Sequence, residues 1–137
     1  MKTKYFYVVI FLALFFISAC YTYEDNITME FTNNSSHDLH VILRMTHRSA
    51  EHRRNIYKGE TISFNVVFSG RAAILVPVDR WSFQNIKNHV DRIIFINLEN
   101  NEVIREMYNI HRDNFTEDHV FRTYRMQITD SLLFFGN

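Results

Sequence analysis

The chain has 137 residues, with 15 basic and 15 acidic side chains and a formal net charge of zero. This balance argues against a dedicated nucleic-acid binder, which would carry a basic excess. Aromatic residues make up 15% of the sequence, and there are only three glycines and one proline, so the composition is that of a chain with a packed core rather than a disordered one.

The first nineteen residues have the layout of a bacterial export signal. Lys2 and Lys4 give a basic start, and an uncharged apolar run without Gly or Pro extends from Tyr5 to Phe16. A helix from Tyr5 to Ala19 would span about 22 Å, which is short of the ~30 Å hydrocarbon layer of a bilayer. The segment therefore predicts a cleaved signal peptide rather than a retained transmembrane helix.

The end of this segment has the pattern of a lipoprotein cleavage site. Ile17, Ser18 and Ala19 precede Cys20, which gives the branched aliphatic residue, two small residues and cysteine of a lipobox. Cys20 is the only cysteine, so it has no disulfide partner within the chain. We expect it to carry a thioether-linked diacylglycerol, whose acyl chains would hold the protein in a bilayer because each buried CH₂ contributes about 0.8 kcal/mol. The predicted divisions are a signal peptide over residues 1–19, a lipidated cysteine and short tether over 20–25, and a folded domain over 26–137.

The mature chain is predicted to form one domain. Removing the first 19 of 137 residues leaves 118, with 13 basic against 15 acidic side chains because Lys2 and Lys4 are lost. A chain of this length buries roughly two-thirds of its unfolded surface around a single core.

Apolar and polar residues alternate over the first half of the domain, as they do in half-buried strands. Strands are predicted from Ile27 to Phe31 and from Leu39 to Met45, with the polar cluster Asn33 to Ser36 as the turn between them. Two further strands are predicted over residues 62–68 and 71–78, separated by a tight reversal at Ser69-Gly70.

The second half of the domain continues this pattern after one interruption. Helical spacing of Phe83, Ile86 and Val90 predicts a short helix within residues 79–90. A strand is then predicted over residues 91–98, and a two-residue type I′ turn at Asn100-Asn101 leads into the strand that follows it. A last strand is predicted from Val120 to Thr129. About seven strands predict an all-β, immunoglobulin-like antiparallel β-sandwich. A small β-barrel is the alternative, because both folds place every second residue inside.

A charged stretch follows the second predicted strand. Arg48, Arg53 and Arg54 are candidates for an anion-binding loop, since guanidinium groups bind phosphate or carboxylate in bidentate fashion. Lipid headgroups, lipopolysaccharide phosphates or an acidic partner would fit such a loop. The plainer interpretation is a solvated loop paired locally with Glu51.

Four histidines in one span, His37, His40, His47 and His52, are weak candidates for zinc or copper ligands. His37 and His40 differ by three positions, so on a strand they would point to opposite faces, and the sequence contains no HExxH or Cys/His knuckle. We therefore predict no metal site and no cofactor apart from covalent lipid on Cys20.

Enzymatic activity is not predicted either. None of the serines lies in a GxSxG elbow, and the one cysteine belongs to the lipobox. No pairing of residues in the sequence meets the first requirements of a catalytic site.

The whole chain resembles the small uncharacterised lipoproteins of Bacteroides-type bacteria. The features that carry this resemblance are the Ile17-Ser18-Ala19-Cys20 box, the strand ending in Asn33-Asn34-Ser35-Ser36, the Asp91-Arg92-Ile93-Ile94-Phe95 strand with its Asn-Asn turn, and the terminal Tyr124-Arg125-Met126-Gln127-Ile128-Thr129-Asp130. The resemblance implies an anchored β-domain and brings no catalytic residues. In that group, surface display is associated with an acidic patch behind the cysteine, whereas here only Glu24 and Asp25 follow Tyr21-Thr22-Tyr23, so the periplasmic and outward faces both stay open.

These features predict a membrane-anchored lipoprotein of the cell envelope, in the outer membrane, whose β-domain acts as a binding or envelope-component module. The alternatives are a His-rich metal-binding or enzymatic module and an accessory subunit of a larger envelope assembly. The expected partner is the lipid bilayer, reached through N-terminal acyl chains. A protein or envelope-glycan partner is left open, and no nucleic acid is expected.

Overall fold

Eight strands and two short helices make up the part of the chain that the computed structural model describes, residues 20–46, 50–73 and 82–135. The strands are β1 Cys20–Asn33, β2 Leu39–Met45, β3 Glu51–Ile56, β4 Thr61–Ala73, β5 Val90–Asn97, β6 Val103–Met107, β7 Thr116–Asp118 and β8 Thr123–Ile128. The helices are α1 Ser82–His89 and α2 Asp130–Phe135, and a 3₁₀ turn covers Arg112–Asn114. Among the described residues, no helix is long and apolar enough to span a bilayer.

The strands form two four-stranded sheets, so the predicted all-β sandwich is confirmed. The first sheet has the order β4-β1-β8-β7 and the second has the order β3-β2-β5-β6, and the described strands do not close into one barrel. There are eight strands rather than about seven. The strand order differs from that of a constant-type immunoglobulin domain, because β1 runs parallel to β8 and because β1 and β2 lie in different sheets, whereas the first two strands of that domain share one.

The core follows from the alternation of the first two strands. Ile27 and Phe31 of β1 are at most 1% exposed, and Leu39 and Leu43 of β2 are fully buried. The opposite face of β1 carries polar residues and that of β2 carries His40 and Arg44 beside Ile42, so each strand has one side for the main core. The ring of Phe31 meets that of Phe64 edge to face, with centroids 5.6 Å apart. Burying a side chain of this size stabilises the fold by about 1.5–3 kcal/mol.

Helix α1 covers the core near the start of β5. The helix predicted within residues 79–90 is confirmed over Ser82–His89, and residues 79–81 lie outside the described part. Ile86 is fully buried, and the ring of Phe83 lies 6.2 Å from that of Phe115 and 6.1 Å from that of Tyr124. The helical spacing therefore reflects packing against aromatic side chains from the β6–β8 region.

Strand β4 passes straight through Ser69-Gly70, so the predicted reversal there is wrong. Each residue of this segment pairs with one of β1, from Glu24 opposite Ser69 to Cys20 opposite Ala73. A ladder that continues on β1 keeps β4 extended, and glycine is tolerated within it. The residues expected as a tether, 20–25, are the first part of β1, and the predicted strand beyond Ala73 lies outside the described residues.

The turn between β5 and β6 is longer than the predicted two-residue turn. Asn101 has a positive φ of 59°, but Asn100 does not, whereas a type I′ turn requires positive φ at both central positions. The side chain of Asn97 instead accepts a hydrogen bond from the N–H of Glu99 at 2.9 Å. The side chain of Asn97 thus accepts a hydrogen bond that a backbone carbonyl group accepts in an ordinary turn.

This longer turn and a β-bulge in the hairpin together shift the register of most paired residues by one position. Met107 lies opposite Ile93, where the two-residue turn predicts Ile94, and Glu106 lies opposite Ile94. A shift of one position exchanges the two faces of a strand. Met107 consequently faces the core, and the carboxylate of Glu106 faces outward.

Asn33, at the end of β1, is a fully buried polar residue whose side chain joins the two sheets. Its Nδ2 group donates to the carbonyl oxygen of His37 at 2.8 Å and to that of Ile56, on β3, at 3.2 Å. Its Oδ1 atom accepts from the N–H of Ser35 at 3.1 Å and from the Ser35 hydroxyl at 2.7 Å. Both ends of the amide are therefore satisfied, which removes the cost of burying them.

The backbone N–H and carbonyl groups of Asn33 are also hydrogen-bonded. Its N–H donates to the carbonyl oxygen of Glu60 at 2.9 Å, and its carbonyl oxygen accepts from the N–H of Gly59 at 2.7 Å. Gly59 has a φ of 79°, a conformation that favours glycine. Asn33 thus holds the β3–β4 turn as well as the turn that follows β1.

We expect Asn33→Asp to lower the free energy of unfolding by at least about 2 kcal/mol, because it removes two donors from buried carbonyl groups and places a carboxylate beside them. Urea unfolding followed by circular dichroism measures this loss. Asn34→Asp is the matched control: Asn34 is exposed and donates one bond, to Gln127, so a loss below about 0.5 kcal/mol is expected. Equal losses in the two variants would contradict the role assigned to Asn33.

Candidate functional site

Cys20 is the first residue of β1, and its backbone lies opposite Ala73 of β4. Ile17, Ser18 and Ala19, which form the rest of the lipobox, lie outside the described residues.

The direction of β1 defines two ends of the sandwich. At the Asn33 end, Asn33 pairs with Ile128, and its side chain reaches Ile56 on the second sheet. At the opposite end, which we term the Cys20 end, Thr28 of β1 pairs with Thr123, the first residue of β8. On the second sheet, the same end contains the start of β5 and the close of β2. The chain therefore passes from Cys20 into the fold at the Cys20 end.

The three predicted anion-binding arginines are not brought together as one described loop. Arg48 lies outside the described residues, in the connection between β2 and β3. Arg53 and Arg54 belong to β3, and consecutive residues of a strand point to opposite faces. Both are exposed, and Arg53 is bound to Glu51, the partner that the plainer interpretation named.

Arg53 belongs instead to a row of paired charges across the outer face of the second sheet, which we term the arginine face. Glu51 accepts from the Nε groups of Arg53 at 2.8 Å and of Arg44 at 2.7 Å. Both guanidinium groups hold the pKa of Glu51 below its ordinary value, with Arg53 the larger cause. Glu51 therefore bridges two cations from adjacent strands.

The other half of the arginine face is centred on Arg92 of β5. Its Nε donates to Asp91 at 2.9 Å, and its Nη1 donates to Glu106 at 3.0 Å. The Tyr108 ring lies beneath the same guanidinium, with its centroid 4.9 Å from Cζ. Hydrogen bonds from the Tyr108 hydroxyl and then from Arg92 lower the pKa of Glu106.

This pairing overcomes a repulsion that the strand register creates. Arg44 and Arg92 lie directly opposite each other on β2 and β5, and like charges in that position destabilise a sheet. Glu51 neutralises one of them, and Asp91 with Glu106 neutralises the other. The three arginines and three acids of the arginine face are thus balanced, which makes it a self-compensated surface rather than a cationic one.

The long side chains of the arginine face also cover apolar surface. Ile42 and Ile94 lie next to each other on this outer face, and each is only 6% exposed. Arginine stems can bury such residues while their charged ends stay in water. A groove of about 430 Å³ opens next to the ion pairs, lined by Arg44, Met45, Thr46, Glu51 and Asp91. It could take a small polar ligand only in competition with the existing ion pairs.

A second set of ion pairs lies on the outer face of the first sheet. Arg125 of β8 donates to Glu30 of β1 at 2.7 Å and lies 3.6 Å from Asp118 of β7. A polar groove of about 420 Å³ runs beside Arg125 and includes Gln127 and Thr116 in its lining. The pairs tie β1, β7 and β8 together across the sheet.

The candidate metal ligands are engaged separately. The His37 ring packs against Phe134 with centroids 5.7 Å apart, and the His52 ring lies 6.1 Å from that of Phe64. Nδ1 of His40 lies 2.6 Å from Oδ1 of Asn55. His47 lies outside the described residues. Within the described ranges, no three His, Cys, Asp or Glu side chains are grouped as a metal site would require.

Two exposed residues were missed because the last strand was predicted to begin at Val120. Strand β8 begins at Thr123, and residues 119–122 form a turn. Val120 and Phe121 at this turn are 84% and 73% exposed. The sequence signal was Asp118. Its side chain accepts hydrogen bonds from the N–H groups of Val120 and Phe121, as aspartate often does in a turn.

None of the family models, curated proteins or solved structures compared with the chain matches it.

We expect Glu51→Gln to reduce the loss of unfolding free energy that the protein undergoes as pH falls. The pKa of Glu51 is lowered in the fold, so its ion pairs stabilise the protein above the unfolded-state pKa of about 4.3 and are lost as pH falls through the lower folded-state pKa. Between neutral pH and about pH 3, wild-type protein should therefore lose more unfolding free energy than the variant does.

Urea titrations at the two pH values measure this difference, and Glu99→Gln, at an exposed position in the β5–β6 turn, is the control. If Glu51→Gln has the same pH dependence as wild type and the control, the ion pairs of Glu51 contribute nothing measurable to stability.

Proposed function

We propose that this protein is a lipoprotein of the bacterial cell envelope, held in the outer membrane by lipid on Cys20. The observation that carries the proposal is the motif Ile17-Ser18-Ala19-Cys20, which follows a basic start and an uncharged apolar run. A branched aliphatic residue, two small residues and a cysteine are the pattern at which a lipoprotein signal is cleaved.

The position of Cys20 also suits a covalent anchor. It lies at the start of a strand whose backbone is paired through thirteen positions with β4. A lipid on this residue would be joined to the sandwich through a continuous ladder, and several acyl chains would make the attachment effectively permanent. The anchor would thus be coupled to the fold.

The β-sandwich itself is proposed to act as a binding or envelope-component module. Two polar grooves, of about 420 and 430 Å³, lie on its outer faces, and they support the proposal only by offering places where a polar ligand would fit. The resemblance to Bacteroides-type lipoproteins is in keeping with this role and stays a prediction.

In bacterial cells that express the full chain, Cys20→Ala should abolish incorporation of a labelled fatty acid, because the thioether can form only on the cysteine sulfur. The variant should also keep residues 1–19, since the lipoprotein peptidase acts on the lipidated precursor. Fatty-acid labelling and intact-protein mass measure the two effects.

Ser18→Ala is the matched control, because it keeps a small residue in the lipobox and should be labelled and cleaved like wild type. Equal labelling of Cys20→Ala and wild type would show that lipid is attached elsewhere. Unmodified Cys20 in wild-type protein would rule out the proposed function.

A further inference from the structure

The turn between β7 and β8, residues 119–122, displays apolar side chains where apolar side chains are unfavourable. Val120 and Phe121 are 84% and 73% exposed. Turns of this kind normally use Gly, Pro, Asn, Asp or Ser, each of which lowers the cost of reversing the chain. Valine and phenylalanine bring no such advantage, and in this position they gain nothing from the core.

This turn is held in a defined shape. Oδ1 of Asp118 accepts hydrogen bonds from the N–H groups of Val120 at 3.2 Å and Phe121 at 3.3 Å. Arg122 follows with a φ of 47°, in the left-handed region that favours glycine or asparagine. Departures from local sequence preference are expected at functional sites, so this exposed apolar turn has the features of a contact site.

The turn lies at the Cys20 end of the sandwich. The N–H of Thr28 donates to the carbonyl oxygen of Arg122 at 3.1 Å, so the turn is bound to β1 itself. On the other side of β1, Val67 of β4 lies opposite Asn26 and is 57% exposed. Exposed apolar side chains therefore flank β1 on both sides, just where it runs back toward Cys20.

We propose that Val120 and Phe121 rest in the boundary between headgroups and acyl chains of the bilayer that holds Cys20, an inference that depends on the proposed function. Lipid on Cys20 would keep this turn no farther from the bilayer than the length of β1 between Cys20 and Ile27. Apolar side chains presented next to a membrane bind it by burying their surface at that boundary. Phe134 and Phe135, which are 50% and 82% exposed, follow β8 at the Asn33 end, away from the strand segment that leads to Cys20.

The contact fixes how the domain sits on the membrane. From Cys20 to Ile27, β1 extends about 23 Å at ~3.3 Å per residue. If this segment stood upright on the bilayer, the turn would be held that far above the headgroups. Contact by Phe121 requires the segment to run along the membrane surface, with the β7–β8 side of the first sheet lowered onto it.

A tryptophan at the turn tests this arrangement. The full-length, lipidated chain with Phe121→Trp is reconstituted into phosphatidylethanolamine–phosphatidylglycerol vesicles whose acyl chains carry bromine, a quencher of tryptophan emission. We expect the added emission to be blue-shifted and quenched several-fold more than that of Phe135→Trp. Trp81 is present in every sample and is subtracted with the wild-type protein. Val120→Trp provides a second reporter on the same turn.

Mass spectrometry of Cys20 in the same preparation separates the two proposals. Lipidated Cys20 with unquenched emission from both Phe121→Trp and Val120→Trp would overturn the membrane contact and leave the lipoprotein intact. Unlipidated Cys20 would overturn both. Equal quenching at positions 121 and 135 would also overturn the contact, because it would show no preferred end.

Discussion

The hydrogen bonds of the buried Asn33 amide are the constraint on which the rest of the sandwich depends. They join the end of β1 in the first sheet to Ile56 in the second, and they fix the turn at Ser35 that carries the chain between the sheets. Because an unsatisfied amide at this depth would be costly, these bonds favour the relative position of the two sheets in which they form. β1 is thereby held at one end by Asn33, while the other end leads to Cys20, and the orientation of the whole domain relative to an anchor follows from this strand.

The sequence predicted those parts of the fold that depend on alternation along a single strand. Ile27, Phe31, Leu39 and Leu43 were expected in the core and are buried there. It did not predict features that depend on a partner strand. Ser69-Gly70 reads as a turn, yet the ladder with β1 keeps it extended. The β5–β6 register was missed by one residue because a longer turn and a β-bulge, rather than a two-residue Asn-Asn turn, set the pairing. The parallel pairing of β1 and β8 has no local signal at all.

The candidate site was predictable to a similar extent. Cys20 was identified from a short linear motif, and its place at the start of β1 was not. The arginines were noticed for their charge, but their pairing depends on register: Arg53 meets Glu51 within β3, while Arg92 meets Glu106 only because the hairpin register turns Glu106 outward. Phe121 was overlooked because it lies within the last strand as the sequence predicted it, from Val120 to Thr129. Only the start of β8 at Thr123 leaves that side chain at a turn.

These observations describe a small β-sandwich that is coupled through one continuous strand to a proposed lipid anchor, with balanced charges on its outer faces and an apolar turn near the anchored end. The most direct test is mass spectrometry of the N-terminal peptide of the wild-type protein isolated from bacterial membranes. The peptide should begin at Cys20 and carry a diacylglycerol on sulfur and an acyl chain on its amino group. A peptide that begins at another residue, or that begins at Cys20 with a free thiol, would contradict the account.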